Sequence, residues 1–326
     1  MERRFIFVFI AFLGAKHCSS QSIDSTNLKK QNLAVLGFED SVSIFNLIDS
    51  LVQYPELLEG GSSLVARLGY NSNITAANLS IGLDQFGLSP GLTYYHKSGL
   101  YLDATAYWSQ EYSPNLYLTV PSLGFLKTMK KWTVNLEYSH YFYSFSDSTY
   151  NSPYTNTASF SNFFEVKPFL FRLDYSLYFG DKAANRLMPG VMVNLEKKNW
   201  LGMKRVLLYP TFSVLFGNES WQNSQYLPYT TVPSEIRDRI KNKLPLLYLQ
   251  TNNYSEFGVL NYSVSLPLSI SLNNWTFLAS YTYNFPQALP NEQLALTNSG
   301  YLSFSVIRYF NFKSNSSLID FYKLPK

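Results

Sequence analysis

Residues 91–109, GLTYYHKSGLYLDATAYWS, decide the fold. They read as two strands joined by a tight turn at Lys97-Ser98-Gly99. In the second strand Leu100, Leu102, Ala104, Ala106 and Trp108 share one face, and Tyr101, Asp103, Thr105, Tyr107 and Ser109 share the other. Strict period-2 alternation over about ten residues is the length at which a tilted strand crosses a bilayer. One face suits lipid and the other suits water or a polar interior.

The same pattern recurs on both sides of this hairpin. Leu64, Ala66, Leu68 and Tyr70 alternate with Val65, Arg67, Gly69 and Asn71. Leu116, Leu118 and Val120 begin another strand. Trp132, Val134, Leu136, Tyr138, His140 and Phe142 read as the outer face of the next, with Thr133, Asn135, Glu137, Ser139, Tyr141 and Tyr143 facing in. Ala158, Phe160, Phe164 and Val166 mark one more before Lys167-Pro168. Phe169, Phe171, Leu173, Tyr175, Leu177 and Phe179 then alternate with Leu170, Arg172, Asp174, Ser176 and Tyr178. Further strands fit 187–195, 205–216, 257–271, 275–284 and 300–312; in 257–271 the outer face reads Leu260, Tyr262, Val264, Leu266, Leu268 and Ile270. The pattern makes about twelve strands of an up-and-down antiparallel barrel, the architecture of a transmembrane β-barrel.

Composition agrees. The chain has 326 residues, of which 17% are aromatic and only 15% charged. That is a poor soluble surface and a suitable wall against lipid. After the first residues no apolar run approaches the ~20 residues of a spanning helix. The net charge of +4 is spread out, with no basic stripe that would point to nucleic acid.

Connection lengths sort by parity. Those at 97–99, 127–131, 167–168, 196–204 and 272–274 are short, and those at 72–87, 109–115, 146–153, 180–185, 217–256 and 285–298 are mostly longer. Outer-membrane barrels have short periplasmic turns and long outer loops, which places both termini in the periplasm. Tyr70, Trp108, Trp132 and Tyr283 near strand ends suit interfacial girdles.

Outside the wall the chain changes character. Residues 1–20 read as a signal peptide: Arg3-Arg4, an apolar run over 5–15, then Cys18-Ser19-Ser20, with cleavage expected near Ser20. Ala15-Lys16-His17 is a poor lipobox, so lipidation of Cys18 is the weaker reading. Residues 21–60 form a periplasmic lead-in, in which Val42, Phe45, Ile48, Leu51 and Val52 fall at helical spacing. That amphipathic helix suits packing at the barrel end or against a periplasmic partner better than a plug in the lumen. Residues 61–312 are the barrel and 313–326 a tail.

The turn and strand in GLTYYHKSGLYLDATAYWS resemble an uncharacterised family of outer-membrane β-barrel proteins of Bacteroidota. The resemblance runs from about Ser41 to Phe312. It implies the fold and a bacterial outer-membrane location, and transfers no activity. The tail departs from the general pattern, in which an aromatic residue closes the last strand at the C-terminus; here Phe312 is followed by Lys313–Lys326.

Candidate sites follow from the faces. Arg67, Asp103, Glu137, Arg172 and Asp174 fall on the lumen side. They fit either an ion network filling a closed lumen or a charged constriction that selects solutes. Both signs occur at similar depths, which favours the network. His96 and His140 fall on the apolar face, and an adjacent Ser139 points inward, away from His140. Both therefore read as interfacial histidines, and no catalytic residue, cofactor or metal site is expected. Arg308 falls on the apolar face near the end of the last strand, where it snorkels to the interface or is turned inward by a bulge. The 217–256 segment holds Trp221, Tyr226, Tyr229 and the run Glu235–Lys243, which suits a short helix in a lid or a binding loop.

The function expected first is a passive channel or small-solute transporter. The alternative is a structural or assembly protein with a filled lumen, acting through outer loops or periplasmic segments. An outer-membrane lipid hydrolase is third. The candidate partners are outer-membrane lipid, a small solute, and a periplasmic or outer-membrane protein.

Overall fold

The computed structural model describes residues 61–72, 87–110, 113–144, 153–290, 296 and 298–313. The expected signal peptide, the expected amphipathic helix and most of the tail lie outside the described residues. Every wall element is a strand, and no helix among the described residues is long and apolar enough to cross a membrane.

The strands are β1 (Gly61–Asn71), β2 (Gly87–Tyr95), β3 (Leu100–Trp108), β4 (Leu116–Met129), β5 (Trp132–His140), β6 (Phe142–Tyr143), β7 (Tyr154–Val166) and β8 (Phe169–Gly180). After them come β9 (Ala183–Val193), β10 (Leu195–Trp200), β11 (Met203–Leu208), β12 (Thr211–Pro228), β13 (Leu247–Leu272), β14 (Trp275–Pro286) and β15 (Ser299–Lys313). A helix, α1 (Pro233–Lys241), sits between β12 and β13. Single-residue breaks make β6 a continuation of β5 and β10 of β9, and the two-residue break at Tyr209-Pro210 makes β12 a continuation of β11. The wall therefore has twelve strands. Each pairs antiparallel with its neighbours, and β1 pairs β15 over Gly61–Asn71, so the sheet closes. Closure leaves no unpaired edge around the spanning part of the wall, which a bilayer demands because lipid offers no hydrogen bonds.

Alternation dictates the two surfaces. In β3 the burial alternates strictly from Leu100 to Ala106, with Leu102 and Ala104 exposed and Tyr101, Asp103 and Thr105 buried. In β8 Phe169, Phe171, Leu173 and Tyr175 are exposed while Leu170, Arg172, Asp174 and Ser176 are buried. Around the barrel Leu123, Leu136, Val264, Leu266 and Phe304 continue the exposed apolar band. An exposed band of this size is unstable in water and stable against lipid.

One rim is made of tight turns, at 96–99, 130–131, 167–168, 201–202 and 273–274. Lys130 and Asn273 take φ of 54° and 51° there, as two-residue hairpin turns require. The other rim carries the long connections. One of these is shorter than its sequence suggests: β8 and β9 are joined by Asp181-Lys182 alone.

Two further expectations are corrected. Residues 217–256 are not a loop. β12 and β13 continue past their neighbours as a two-stranded ribbon, paired from Asn218–Phe257 to Pro228–Leu247. At about 3.3 Å per residue these rungs carry the tip about 35 Å beyond the wall. The Glu235–Lys243 run does contain a helix, but α1 buries none of its residues, so it is not a lid packed into the mouth. Leu260 does not face lipid. The register between β12 and β13 slips at Leu215/Phe216, and Leu260 and Asn261 are both buried in succession. The extra residue is a β-bulge, which flips the phase of the alternation. A second slip, between Tyr107 and Trp108, does the same for β4: Leu116 is exposed, whereas Leu118 and Val120 are buried inside.

Candidate functional site

The lumen is layered. Near the tight-turn rim two apolar clusters fill it: Phe163, Leu170, Met192, Leu207, Tyr209 and Leu278 on one side, and Val65, Tyr95, Tyr101, Leu126, Ile307 and Tyr309 on the other. Two more lie toward the long-loop rim, around Tyr178, Leu215 and Leu260, and around Tyr107, Leu118 and Tyr141. Polar side chains occupy the zone between them.

The first polar group joins β1, β2 and β3. Arg67 donates to both oxygens of Asp103, at 2.8 Å from Nη1 to Oδ1 and 2.9 Å from Nη2 to Oδ2. Nη1 also donates to Thr93 Oγ1 at 2.8 Å, and Nη2 to the Thr105 hydroxyl. Thr105 in turn donates to Asp103 Oδ2 at 2.8 Å. Arg67 and Asp103 are two strands apart, and Gly91 on β2 lies between them. A Cβ at Gly91 would stand 2.6 Å from Arg67 Nε, so only glycine lets the guanidinium lie across that strand. A bidentate, fully hydrogen-bonded pair is the form in which buried charge is tolerated.

The second group repeats the device two strands along. Tyr101 on β3 reaches over Gly124 on β4 and donates to Glu137 on β5, with Asn135 Oδ1 at 3.1 Å from the same hydroxyl. Any side chain at Gly124 would collide with the Tyr101 ring. Ser139 donates to Glu137 Oε1 at 3.0 Å and lies 2.8 Å from Ser122 Oγ. The Tyr95 and Tyr101 rings, 5.2 Å apart, connect the two groups.

The third group lies within β8. Arg172 pairs with Asp174, two residues on along the same face, and its guanidinium lies 5.6 Å from the Phe163 ring centre. Arg186 on β9 is also buried and donates to the carbonyls of Asn218 at 2.7 Å and Asn185 at 3.2 Å. Its strand starts earlier than the alternation over 187–195 suggests, and extending the same period two residues back from Met188 would have found it. Tyr101 was also missed as a site residue, because an aromatic on the lumen face does not announce its hydroxyl's partner.

All five sequence-derived residues, Arg67, Asp103, Glu137, Arg172 and Asp174, thus lie inside the barrel. Arg67 and Asp103 come together, as do Arg172 and Asp174; Glu137 joins Tyr101 rather than a cation. With Arg186 the buried interior carries three arginines and three carboxylates among the described residues.

The histidines lie elsewhere. His96 sits in an exposed turn with Nδ1 2.8 Å from Ser98 Oγ. His140 has Nδ1 2.7 Å from Asn156 Oδ1 and its ring 4.5 Å from Phe142. Ser139 is turned into the lumen, on the opposite face. Arg308 is exposed on the outer face, over the Trp275 and Phe310 rings.

No protein-family model and no curated protein matches the chain. Solved barrels resemble it at low similarity. A structure described as a bacterial polysaccharide outer membrane secretin is 9% identical with a TM-score of 0.37, over 78% of this chain and 99% of that one. LpxR from Salmonella typhimurium is 10% identical with a TM-score of 0.38, over 76% and 100%. The translocator domain of the autotransporter NalP from Neisseria meningitidis is 10% identical with a TM-score of 0.33, over 86% and 99%. The chain's own closed antiparallel wall, its outward apolar band and its rim tryptophans make it an outer-membrane β-barrel protein.

Proposed function

We propose that this protein is a closed-lumen outer-membrane barrel that acts through the parts projecting from its wall. The observation that carries this reading is the burial of the lumen. Val65, Thr93, Thr105, Asn135 and Met192 all point inward and are 0% exposed. Residues lining a water-filled pore are wet, whereas these are packed. Equal numbers of buried cations and carboxylates, each hydrogen-bonded in place, suit a filling better than a selectivity ring.

The projecting part is the ribbon and its tip. Tyr229 packs at a tilt against Tyr248 with ring centres 5.1 Å apart, and the Arg239 guanidinium lies 3.9 Å over Tyr229. Arg239 Nε donates to the Pro245 carbonyl at 3.2 Å, tying α1 down. Tyr226, Ile240, Leu244, Leu247 and Leu249 remain exposed around it. Apolar side chains held far above a membrane are the makings of a protein-binding surface. Membership of the Bacteroidota barrel family belongs to this reading, on the strength of the 91–109 motif.

A narrow small-solute channel is the second reading. It is favoured by the half-buried polar strip Ser263, Ser265, Thr282 and Ser305 on β13, β14 and β15, where the interior is least packed. Planar-bilayer recording separates the two. The closed reading expects no stepwise conductance from folded protein, and regular ohmic steps refute it.

A further inference from the structure

One charge interrupts the lipid-facing row of β15. Leu302, Phe304, Val306, Arg308, Phe310 and Phe312 share the outer face. Arg308 stands level with Trp275, its partner in the β14–β15 register, at the start of β14 beside the Asn273-Asn274 turn. Its guanidinium lies 4.8 Å from the Trp275 ring centre and 4.9 Å from that of Phe310. Both rings lie against the group. Its N–H edges meet no hydrogen-bond acceptor and no carboxylate among the described residues. A guanidinium has five donors in a planar fork, and in a lipid-facing wall the remaining acceptor of matching geometry is a phosphate.

The surrounding rim has the same character. Lys97, Lys130, Lys131, Lys167 and Lys197 are exposed along it. The carboxylates among its described residues are Glu165 and Glu196, and both are engaged: Glu165 lies 3.7 Å from Lys167, and Glu196 lies 2.7 Å from Arg205. Lys197 stands 4.9 Å from the Trp200 ring centre, so a cation beside a rim tryptophan occurs twice. Tryptophan marks headgroup depth, and cations there attract anionic lipid.

We propose that Arg308, held against Trp275 and Phe310, binds the headgroup phosphate of an anionic phospholipid in the leaflet at the tight-turn rim. The two rings pre-order the fork, so little side-chain freedom is lost on binding. The lysine collar sets the preference for net negative over zwitterionic headgroups. This site is independent of whether the lumen is open.

Native mass spectrometry of the full chain, released from nanodiscs containing equal phosphatidylglycerol and phosphatidylcholine, tests it. The wild type is expected to retain phosphatidylglycerol preferentially. Arg308→Gln is expected to lower that affinity about tenfold and leave phosphatidylcholine retention unchanged. Arg308→Lys is expected to fall between them, because it keeps the charge and loses the fork. Lys182→Gln on the opposite rim serves as the control and is expected to behave as wild type. A heat-modifiable gel shift verifies folding. If Arg308→Gln does not fold, wild-type affinity in Arg308→Lys overturns the proposal. Equal retention of the two lipids by the wild type overturns it, as does unchanged phosphatidylglycerol affinity in folded Arg308→Gln, the result expected if the rim docks a protein. Displacement of the lipid by an equal concentration of inorganic phosphate would show a free-phosphate site and overturn the lipid assignment.

Discussion

The guanidinium of Arg67 meets both carboxylate oxygens of Asp103 by lying across the backbone of Gly91, with its nitrogens 2.8 and 2.9 Å from the oxygens. The pair ties β1 to β3 over the strand between them. Removing one partner leaves a desolvated charge with no counter-charge. Arg67→Met is therefore expected to destabilise the folded barrel by about 3–5 kcal/mol. Arg67→Met combined with Asp103→Leu should recover most of that loss, since replacing both members of a buried pair by apolar groups is close to neutral. Urea unfolding of vesicle-inserted protein measures both, and a double variant as weak as the single one contradicts the account.

Tyr101 and Gly124 make a second coupled pair. Gly124→Ala places a methyl group against the Tyr101 ring and is expected to cost about 1–3 kcal/mol by overpacking. In a Tyr101→Ala background the same substitution should cost almost nothing. The double-mutant cycle is the measurement, and additive effects would show that the ring does not occupy the glycine's space.

The bulge at Leu260 predicts a reversal of face. In a Cys18→Ser background, Leu260→Cys is expected to be protected from a lipid-soluble maleimide while Leu266→Cys reacts, because Leu260 is buried inside and Leu266 is exposed outside. Equal labelling would restore an unbroken alternation through β13.

At the ribbon tip, Arg239→Ala removes the contact over Tyr229 and the bond to the Pro245 carbonyl. The loss is about 0.5–1 kcal/mol for an exposed cation–π contact, enough to loosen α1 without touching the wall. Limited trypsin digestion should cut within 229–246 several times faster than in the wild type, while the barrel keeps its folded gel mobility.

The wall was legible because a strand between lipid and a packed interior must alternate, and β3, β5 and β8 do so without interruption. The faces of Arg67, Asp103, Glu137, Arg172 and Asp174 follow from the same period. Their partners do not. Whether Arg67 meets Asp103 or Glu137 depends on strand stagger and on which intervening residue is glycine, and neither is written in one strand's pattern. The bulges were invisible for a related reason: one extra residue at Leu260 shifts the phase, and Leu260, Tyr262 and Val264 are apolar in either phase. The ribbon escaped because 218–226, NESWQNSQY, has no apolar face in its sequence, so no alternation marks it as strand.

The central claim is that side chains close the lumen, and solute efflux from loaded vesicles tests it most directly. Folded wild-type protein is predicted to retain a small neutral sugar as protein-free vesicles do. A variant with Tyr101→Ser, Glu137→Ser and Leu126→Ser, which empties one side of the packed interior, is predicted to release it. Rapid release by the wild type, at a rate matching that variant, would contradict a filled barrel.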